Sequence, residues 1–169
     1  FLLRPLYFQR IVGSAMNNDS RAVTEYVSVT LETKLIHPDA KIPFKSRVTD
    51  AGYDLYSVED KILKPNRATV VGTGIIISAP PGYYYTVEGR SSLWMRGIFP
   101  NRGIIDSSFI GELVVSLVNV NDSEFVINCG DRIAQIILNK QYNASFEIVD
   151  EFSGNYSIRG TKGFGSSGQ

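Results

Sequence analysis

Short segments of alternating apolar and polar residues, separated by turn residues, dominate the chain from Glu25 onward. Alternation with a period of two is typical of half-buried β-strands, whereas an amphipathic helix repeats about every 3.6 residues. No long stretch has the helical period, and we predict one short helical turn at 93–96. The strands are predicted at 26–32, 70–77, 83–87, 113–120, 125–128, 133–138 and 146–149. This pattern predicts an all-β fold, either a β-sandwich or a distorted jelly roll.

The length of 169 residues fits one domain with a substantial core. We predict a β domain at 25–150, preceded by an N-terminal extension at 1–24 and followed by an arm at 151–169. Residues 1–15 show no regular pattern, and we interpret them as lying outside the native sequence, with a native start at Met16.

The composition argues against several classes of protein. The 17 basic residues balance the 17 acidic residues, which disfavours broad binding to nucleic acid. No apolar run approaches the roughly 18 residues of a membrane span, so no membrane partner is expected. The single cysteine, Cys129, excludes an internal disulfide, and we interpret its thiol as a packing group. An intracellular, reducing compartment, the cytoplasm or the nucleus, is therefore expected.

Residues 103–112, with the sequence GIIDSSFIGE, are predicted to form a β-hairpin. Two β-branched residues lead into Asp-Ser-Ser, which would place the Asp106 carboxylate at a tight, strained corner. A lone aspartate in a turn usually caps its own backbone. Three further polar turns of this chain, which are described next, favour a functional role for the Asp106 carboxylate instead.

Residues 89–92, with the sequence GRSS, form the first of these turns. Small residues let backbone N–H groups approach an anion, hydroxyls donate, and the planar guanidinium of Arg90 suits phosphate. A surface turn with a solvated arginine is the alternative. Asp54 follows a second turn at Gly52, and there capping of the turn is the first interpretation, ahead of metal binding.

The turn at Gly130 leads directly into an apolar strand. Asp131 and Arg132 are interpreted as a pair that pins this turn. Alternation from Ile133 puts Gln135 on an apolar face, where its amide needs a partner that a ligand oxygen could supply.

The C-terminal residues 158–168 are rich in glycine and serine and cannot build a core. A disordered end is the compositional default. A single phenylalanine flanked by Arg, Lys and Ser is also what a flexible lid needs, because a ring can stack on a base while cations and hydroxyls hold phosphates.

The segments AGYDLYS, GRSSL, GIIDSSFIGE, GDRIAQ and RGTKGFGSSG, in this order, resemble the five motifs of the homotrimeric dUTPase family. The resemblance runs from about residue 27 to residue 168. It implies hydrolysis of dUTP to dUMP and pyrophosphate, which limits uracil in DNA and supplies dUMP for dTTP synthesis. It further implies a trimer whose three active sites each draw on three chains, with the C-terminal arm crossing to a neighbour.

Roles for individual residues follow from the same resemblance. Asp106 would be the general base that polarises a water, and Asp54 would lie in the outer shell of Mg²⁺, which phosphates and water hold. The backbone of 103–106 would pair with uracil, Phe109 would pack under the deoxyribose, and the arm would close over the nucleotide. The residues implied in substrate binding are Arg90, Ser91, Ser92, Gly103, Ile104, Ile105, Phe109, Gln135, Arg159, Phe164, Gly165, Ser166 and Ser167.

Four positions depart from the pattern of this family, and the first is Ser108, which replaces a frequent aspartate and leaves Asp106 as the only acidic candidate at that corner. Phe109 replaces the usual tyrosine, Ser92 replaces a glycine, and Trp94 stands where a small residue is common, for which core packing or a subunit contact is the first interpretation. A dCTP deaminase-like enzyme is one alternative, but Ser116 occupies the position of its catalytic glutamate. A trimer that binds nucleotide or protein without turnover is the other alternative.

Overall fold

The computed structural model describes residues 28–152, which form eleven β-strands and one short helix. The strands are β1 (Glu32–Leu35), β2 (Tyr53–Tyr56), β3 (Lys61–Leu63), β4 (Arg67–Gly72), β5 (Ile75–Ser78), β6 (Tyr83–Glu88), β7 (Ile98–Pro100), β8 (Gly103–Ile105), β9 (Val114–Asn119), β10 (Phe125–Ile127) and β11 (Arg132–Lys140). The helix α1 spans Ser91–Trp94. Within 28–152 no helix is long and apolar enough to cross a membrane. The predicted all-β fold class is confirmed.

The strands pair antiparallel in four sheets. The largest has the order β2-β11-β6-β8, and a three-stranded sheet has the order β4-β9-β7. Two further pairs, β1-β5 and β10-β3, complete the arrangement. The nine-residue strand β11 is central in the largest sheet, because it pairs with β2 on one side and β6 on the other.

One apolar core lies between the sheets. The alternation of the sequence explains it, because successive side chains on a strand point to opposite faces. On β9, Val115, Leu117 and Asn119 are buried. On β6, Tyr85 is fully buried and its hydroxyl donates to the Ile77 carbonyl oxygen, 3.1 Å away. Burial raises the pKa of the Tyr85 hydroxyl to about 12, which keeps it a neutral donor.

Three of the predicted strands differ from the structure. The predicted strand at 70–77 is divided between β4 and β5, because Gly74 between them has a φ of 64°, which a strand residue does not adopt. In the described part of the chain the first strand begins at Glu32, where its pairing with β5 starts, and residues 28–31 of the predicted strand at 26–32 form no strand. Residues 26 and 27 lie outside the described residues. Residues 146–149 form no strand, and Phe146 and Ile148 are almost fully exposed because no strand within residues 28–152 pairs with them.

The predicted hairpin at 103–112 is also wrong. Strand β8 pairs with β6 in the largest sheet, whereas β9 pairs with β4 and β7 in the three-stranded sheet. The residues between them therefore carry the chain from one sheet to the other. The backbone at Asp106 is not strained in the left-handed region either, since Asn66 is the only non-glycine residue of 28–152 with a positive φ.

Candidate active site

The register of the largest sheet brings three polar segments side by side. Gln135 on β11 pairs with Asp54 on β2 and, on its other side, with Glu88 at the end of β6. The GRSS turn follows Glu88 directly. A single row across the sheet thus joins the Asp54 segment, Gln135 and the turn that carries Arg90.

Asp54 bridges two arginines. Its Oδ1 accepts from Arg90 Nε at 2.8 Å and its Oδ2 accepts from Arg132 Nη1 at 3.2 Å. The side chains of Asp54 and Arg90 are each only 18% exposed, whereas that of Arg132 is 50% exposed. Partial burial strengthens a charge-assisted pair of this kind, so the guanidinium of Arg90 is held in one orientation.

Two structural interpretations from the sequence are therefore wrong. The turn before β2 is capped by Asp50, whose Oδ2 accepts from the backbone N–H of Arg47 at 3.0 Å, and not by Asp54. Asp131 does not pair with Arg132. Its Oδ2 accepts from the backbone N–H of Asn128 at 2.8 Å, which closes the turn and leaves Arg132 to reach Asp54.

Gln135 finds its partner inside the protein. Its Nε2 donates to the Gly89 carbonyl oxygen at 2.7 Å. The other side of its amide lies against Gly52, where a Cβ atom would be 1.9 Å from Gln135 Oε1. A side chain at position 52 would force the Gln135 amide to move, and this partly buried amide ties the strand β11 to Gly89, the residue that precedes Arg90.

Ser91 and Ser92 begin the helix α1, and Arg90 precedes them with an extended backbone at φ −103° and ψ 132°. The first N–H groups of a helical turn have no partner within that turn, so they are available to an anion. Ser92 replaces glycine without strain, because its φ is not positive. Its Oγ accepts from Arg90 Nη1 at 3.3 Å.

A cavity of about 220 Å³ lies beside this turn. Three arginines and one aspartate contribute to its wall, so the charge of its lining is positive. Arg96 is oriented by the Phe125 ring, whose centroid lies 4.3 Å from the guanidinium carbon. The lining residues are Arg90, Ser92, Leu93, Arg96, Phe125, Ile127, Asp131 and Arg132.

Asp106 lies in an exposed turn after the edge strand β8. The turn is closed by the backbone N–H of Phe109, which donates to the Asp106 carbonyl oxygen at 3.0 Å. The Phe109 ring is 42% exposed and covers Gly111, where a Cβ atom would be 2.6 Å from the ring. In the described residues β8 pairs only with β6, so its second backbone edge is open.

One copy of the chain does not bring Asp106 to Arg90. Ile105, immediately before Asp106, pairs with Tyr85 near the start of β6. Arg90 lies beyond the other end of β6, and five residues of extended chain at about 3.4 Å each separate Tyr85 from Arg90 by roughly 17 Å. The structure thus unites Asp54, Arg90 and Gln135 and separates them from Asp106.

The polar side chains of this region fit a magnesium ion whose direct ligands are phosphate oxygens and water molecules. They do not fit a magnesium ion that is held by several protein ligands. Within residues 28–152, no cluster of three His, Cys, Asp or Glu side chains is placed to hold a metal. Each oxygen of Asp54 accepts one arginine N–H and keeps a second acceptor direction for a water molecule. Mg²⁺ usually keeps several of its waters, so an outer-shell role for Asp54 fits this geometry.

Several residues of the site were missed or misread from the sequence. The sequence places Gly52 and Gly89 in turns but does not predict their close contacts with Gln135 and Trp94. The Gly52 contact depends on the pairing of β2 with β11, and the Gly89 contact depends on how α1 turns its last residue back. Arg132 was assigned to its own turn. Cys129 is exposed rather than packed. The predicted arm residues Arg159, Phe164, Gly165, Ser166 and Ser167 lie outside the described residues.

Comparisons with known proteins agree on one family. The dUTPase family model matches residues 38–168. The deoxyuridine 5′-triphosphate nucleotidohydrolase of Thermobifida fusca is 37% identical over 161 residues, covering 93% of this chain and 88% of the relative. That of Kluyveromyces lactis is 37% identical over 148 residues, covering 87% of this chain and 99% of the relative.

Solved structures show the same likeness. The dUTPase of Staphylococcus bacteriophage 80alpha with dUpNHpp superimposes with a TM-score of 0.77 at 30% identity, covering 83% of this chain and 99% of that one. A mutant dUTPase from phage phi11 of S. aureus, which coordinates a structural Mg(II) ion, gives a TM-score of 0.69 at 25% identity. It covers 74% of this chain and 99% of its own.

Proposed function

The chain belongs to the dUTPase family and is a dUTP diphosphatase, and we propose that its active sites are completed between the subunits of a homotrimer. The observation that carries this proposal is the separation of Asp106 from Arg90 along β6. A base that activates water must come within hydrogen-bond reach of the phosphate that the arginine holds. A second copy that presents its Asp106 turn to the Arg90 side of the first copy satisfies this requirement.

The outward face of the β4-β9-β7 sheet supports the assembly. Its side chains include Val70, Val114 and Phe99, which are 53%, 44% and 39% exposed. These residues lie on the face of their strands opposite the core, and together they form an apolar surface. An apolar surface of this kind is stabilised by burial against another copy of the same chain.

In the proposed mechanism Asp106 accepts a proton from a water molecule as the water oxygen attacks the α-phosphorus of dUTP. A bond forms between the water oxygen and the α-phosphorus, and the bond from the α-phosphorus to the bridging oxygen breaks. The products are dUMP and pyrophosphate, and Asp106 returns its proton to solvent. The exposed position of Asp106 at the end of an edge strand leaves its carboxylate free to meet a substrate held by a neighbour.

Arg90 and the start of α1 are the proposed phosphate site. Phosphoryl transfer requires positioned positive charge more than covalent chemistry, and Asp54 already fixes the Arg90 guanidinium. Ser91 and Ser92 follow Arg90 at the start of α1, and Ser92 lines the same positively charged cavity as Arg90. When bound, Mg²⁺ neutralises phosphate charge, and Asp54 would hold it through water.

The open edge of β8 is the proposed uracil site. Gly103, Ile104 and Ile105 offer the alternating N–H and C=O groups of an unpaired strand edge, which match the donors and acceptors of a pyrimidine ring. The Phe109 ring beside them would pack under the deoxyribose. For Arg159 and the other arm residues we propose the roles that the family resemblance implies, closure over the base and contact with the terminal phosphate.

Mixing two inactive variants tests the shared site. Asp106→Asn and Arg90→Ala chains are unfolded together at equal concentration, refolded, and assayed for pyrophosphate release from dUTP. If the two residues of one site come from different copies, random assembly returns about one quarter of native activity, because that fraction of sites contains both native residues. A site built within one chain returns none, and that result would overturn the proposal. The matched control mixes Asp106→Asn with Asp106→Ala and stays inactive.

The same assay separates the activities considered from the sequence. Release of pyrophosphate is measured with dUTP, dCTP, dTTP and UTP, and only dUTP is expected to react. At the position of the deaminase glutamate, Ser116 lies on β9, and its hydroxyl accepts from Asn101 Nδ2 at 2.9 Å. Because serine has no carboxylate to shuttle protons, loss of the cytosine amino group is not expected.

A further inference from the structure

Trp94 is the single tryptophan of the sequence and the last residue of α1. Its side chain is not part of the core, since Trp94 is 51% exposed. One side of the indole stacks on Phe99, with ring centroids 6.2 Å apart and planes inclined by 26°. Phe99 belongs to the outward apolar face of the β4-β9-β7 sheet.

The indole also lies directly on Gly89. A Cβ atom at position 89 would be 2.0 Å from Trp94 Nε1, so the two groups are in contact without a side chain between them. The carbonyl oxygen of Gly89 accepts from Gln135. Gly89 is therefore held on its α-carbon by Trp94 and on its carbonyl by Gln135, and the next residue is Arg90.

We propose that Trp94 is a positioning residue for the phosphate-binding turn and links that turn to the subunit interface through Phe99. The inference rests on the proposed function, which places phosphates at Arg90 and a second copy on the outward face. The ring fills the space over Gly89, so the turn can shift toward solvent if the ring is removed. A shift of this kind moves the Arg90 guanidinium away from the geometry that Asp54 and Gln135 define.

Two substitutions and a choice of ligands test the proposal. Trp94→Ala is expected to raise the KM for dUTP about tenfold with a smaller effect on kcat, because ground-state placement of the phosphates is lost. Trp94→Phe keeps an aromatic ring over Gly89 and is expected to restore most of the affinity. Binding of the non-hydrolysable imido analogue of dUTP should weaken in Trp94→Ala by a similar factor, whereas binding of deoxyuridine, which has no phosphate, should not change.

Tryptophan fluorescence of the unmodified protein tests the role of Trp94 independently of any substitution. Since the sequence contains one tryptophan, its emission should change when the imido analogue binds and stay constant with deoxyuridine. The matched control for Trp94→Ala is Ile62→Ala, which removes a side chain that is 54% exposed on β3. It should leave both affinities as they are.

The outcomes distinguish this inference from the proposed function. If the native protein hydrolyses dUTP and complements in mixed trimers, but Trp94→Ala binds the imido analogue normally, only the role of Trp94 is overturned. Equal weakening of the analogue and of deoxyuridine would also overturn it, because the effect would not be specific to phosphate. If Trp94→Ala fails to assemble, Trp94→Phe and the fluorescence of the native protein decide the question.

Discussion

The two halves of the candidate site are built in opposite ways. The phosphate half, made of Asp54, Gln135 and the turn at 89–92, is fixed by side-chain bonds between three strands of one chain. The half around Asp106 consists of an exposed turn and an open strand edge. In the proposed site, the charged groups that bind the phosphates are held in place before the substrate arrives, whereas the base and the uracil edge are accessible. In the proposed trimer, one chain would therefore contribute these two halves to different active sites.

The turn that carries Asp106 is attached to the core through the residues on its two sides. Upstream of Asp106, Ile105 pairs with the buried Tyr85 of β6. Downstream, Glu112 Oε1 accepts from the Gly74 N–H at 2.9 Å and the Leu113 N–H donates to the Ile75 carbonyl oxygen at 2.8 Å. Leu113 itself is buried. The side-chain bonds of Asp54 and Gln135 involve no residue of this turn, so a side chain of the turn can be replaced without breaking them.

The largest effect is expected from Asp106→Asn. The amide keeps the shape of the carboxylate but cannot accept a proton, so kcat should fall by about 10² to 10⁴. Binding of the imido analogue of dUTP should persist, because the phosphate half is intact. Steady-state kinetics and calorimetric titration measure the two effects.

Asp122→Asn is the matched control, because Asp122 is an exposed turn aspartate outside both halves. It should leave kcat unchanged. Normal turnover in Asp106→Asn would remove Asp106 from its role as base. Loss of analogue binding in that variant would show that the two halves are not independent.

The same structure shows which features could be predicted from the sequence and which could not. The sequence predicted the all-β class and the family, because alternation and the five motifs are local features. It did not predict that β8 and β9 belong to different sheets, since tertiary pairing chooses between partners that have similar local patterns. The contacts of Asp54 with Arg132 and of Gln135 with Gly89 were missed for the same reason, since they join residues 78 and 46 positions apart.

Asp54→Asn tests the phosphate half. The amide loses the charge that holds Arg90 and Arg132, so we expect the KM for dUTP to rise on the order of tenfold, and kcat to fall less. The matched control is Arg102→Ala, which breaks an Arg–Glu pair of equal length, 2.8 Å, whose arginine is 70% exposed. Exposed pairs contribute little, so this variant should behave as the native protein does. An unchanged KM in Asp54→Asn would show that Arg90 needs no preorganisation.

A smaller loss of activity is expected from Glu112→Ala. Comparison with Glu59→Ala distinguishes a role in positioning the Asp106 turn from a role in stability alone. Glu59 and Glu112 each accept one backbone N–H of the same connection, at Gly72 and Gly74, but only Glu112 adjoins the Asp106 turn. Alanine at either position should lower the free energy of unfolding by about 1 kcal/mol and the melting temperature by roughly 2–4 °C. Only Glu112→Ala should also lower kcat, by about fivefold, because the base is displaced. Equal kcat values in the two variants would contradict this anchoring role.

The pH dependence of stability adds a second measurement at Glu59. The bond from the Gly72 N–H, and then that from Lys61, hold the pKa of the Glu59 carboxyl below its ordinary value of 4.5. Because the folded-state pKa is lowered, the stabilisation is complete above pH 4.5 and is lost as the pH falls through the folded-state pKa. The melting temperatures of native protein and Glu59→Ala should therefore differ at neutral pH and converge in acid. A constant difference would show that the charge of Glu59 contributes nothing.

The smallest effect is expected from Phe109→Tyr. The Phe109 Cζ atom lies 2.6 Å from the position that a Cβ of Gly111 would take, so the ring is already packed on the backbone and a hydroxyl on Cζ would extend past it. The new group can add one hydrogen bond, and we expect the kcat/KM for dUTP to change by less than about threefold. In the proposed site the ring itself excludes the ribose 2′-hydroxyl, so the preference for dUTP over UTP should stay the same. Phe109→Leu removes the ring and should reduce that preference, and if it does not, sugar discrimination must come from the backbone edge of β8.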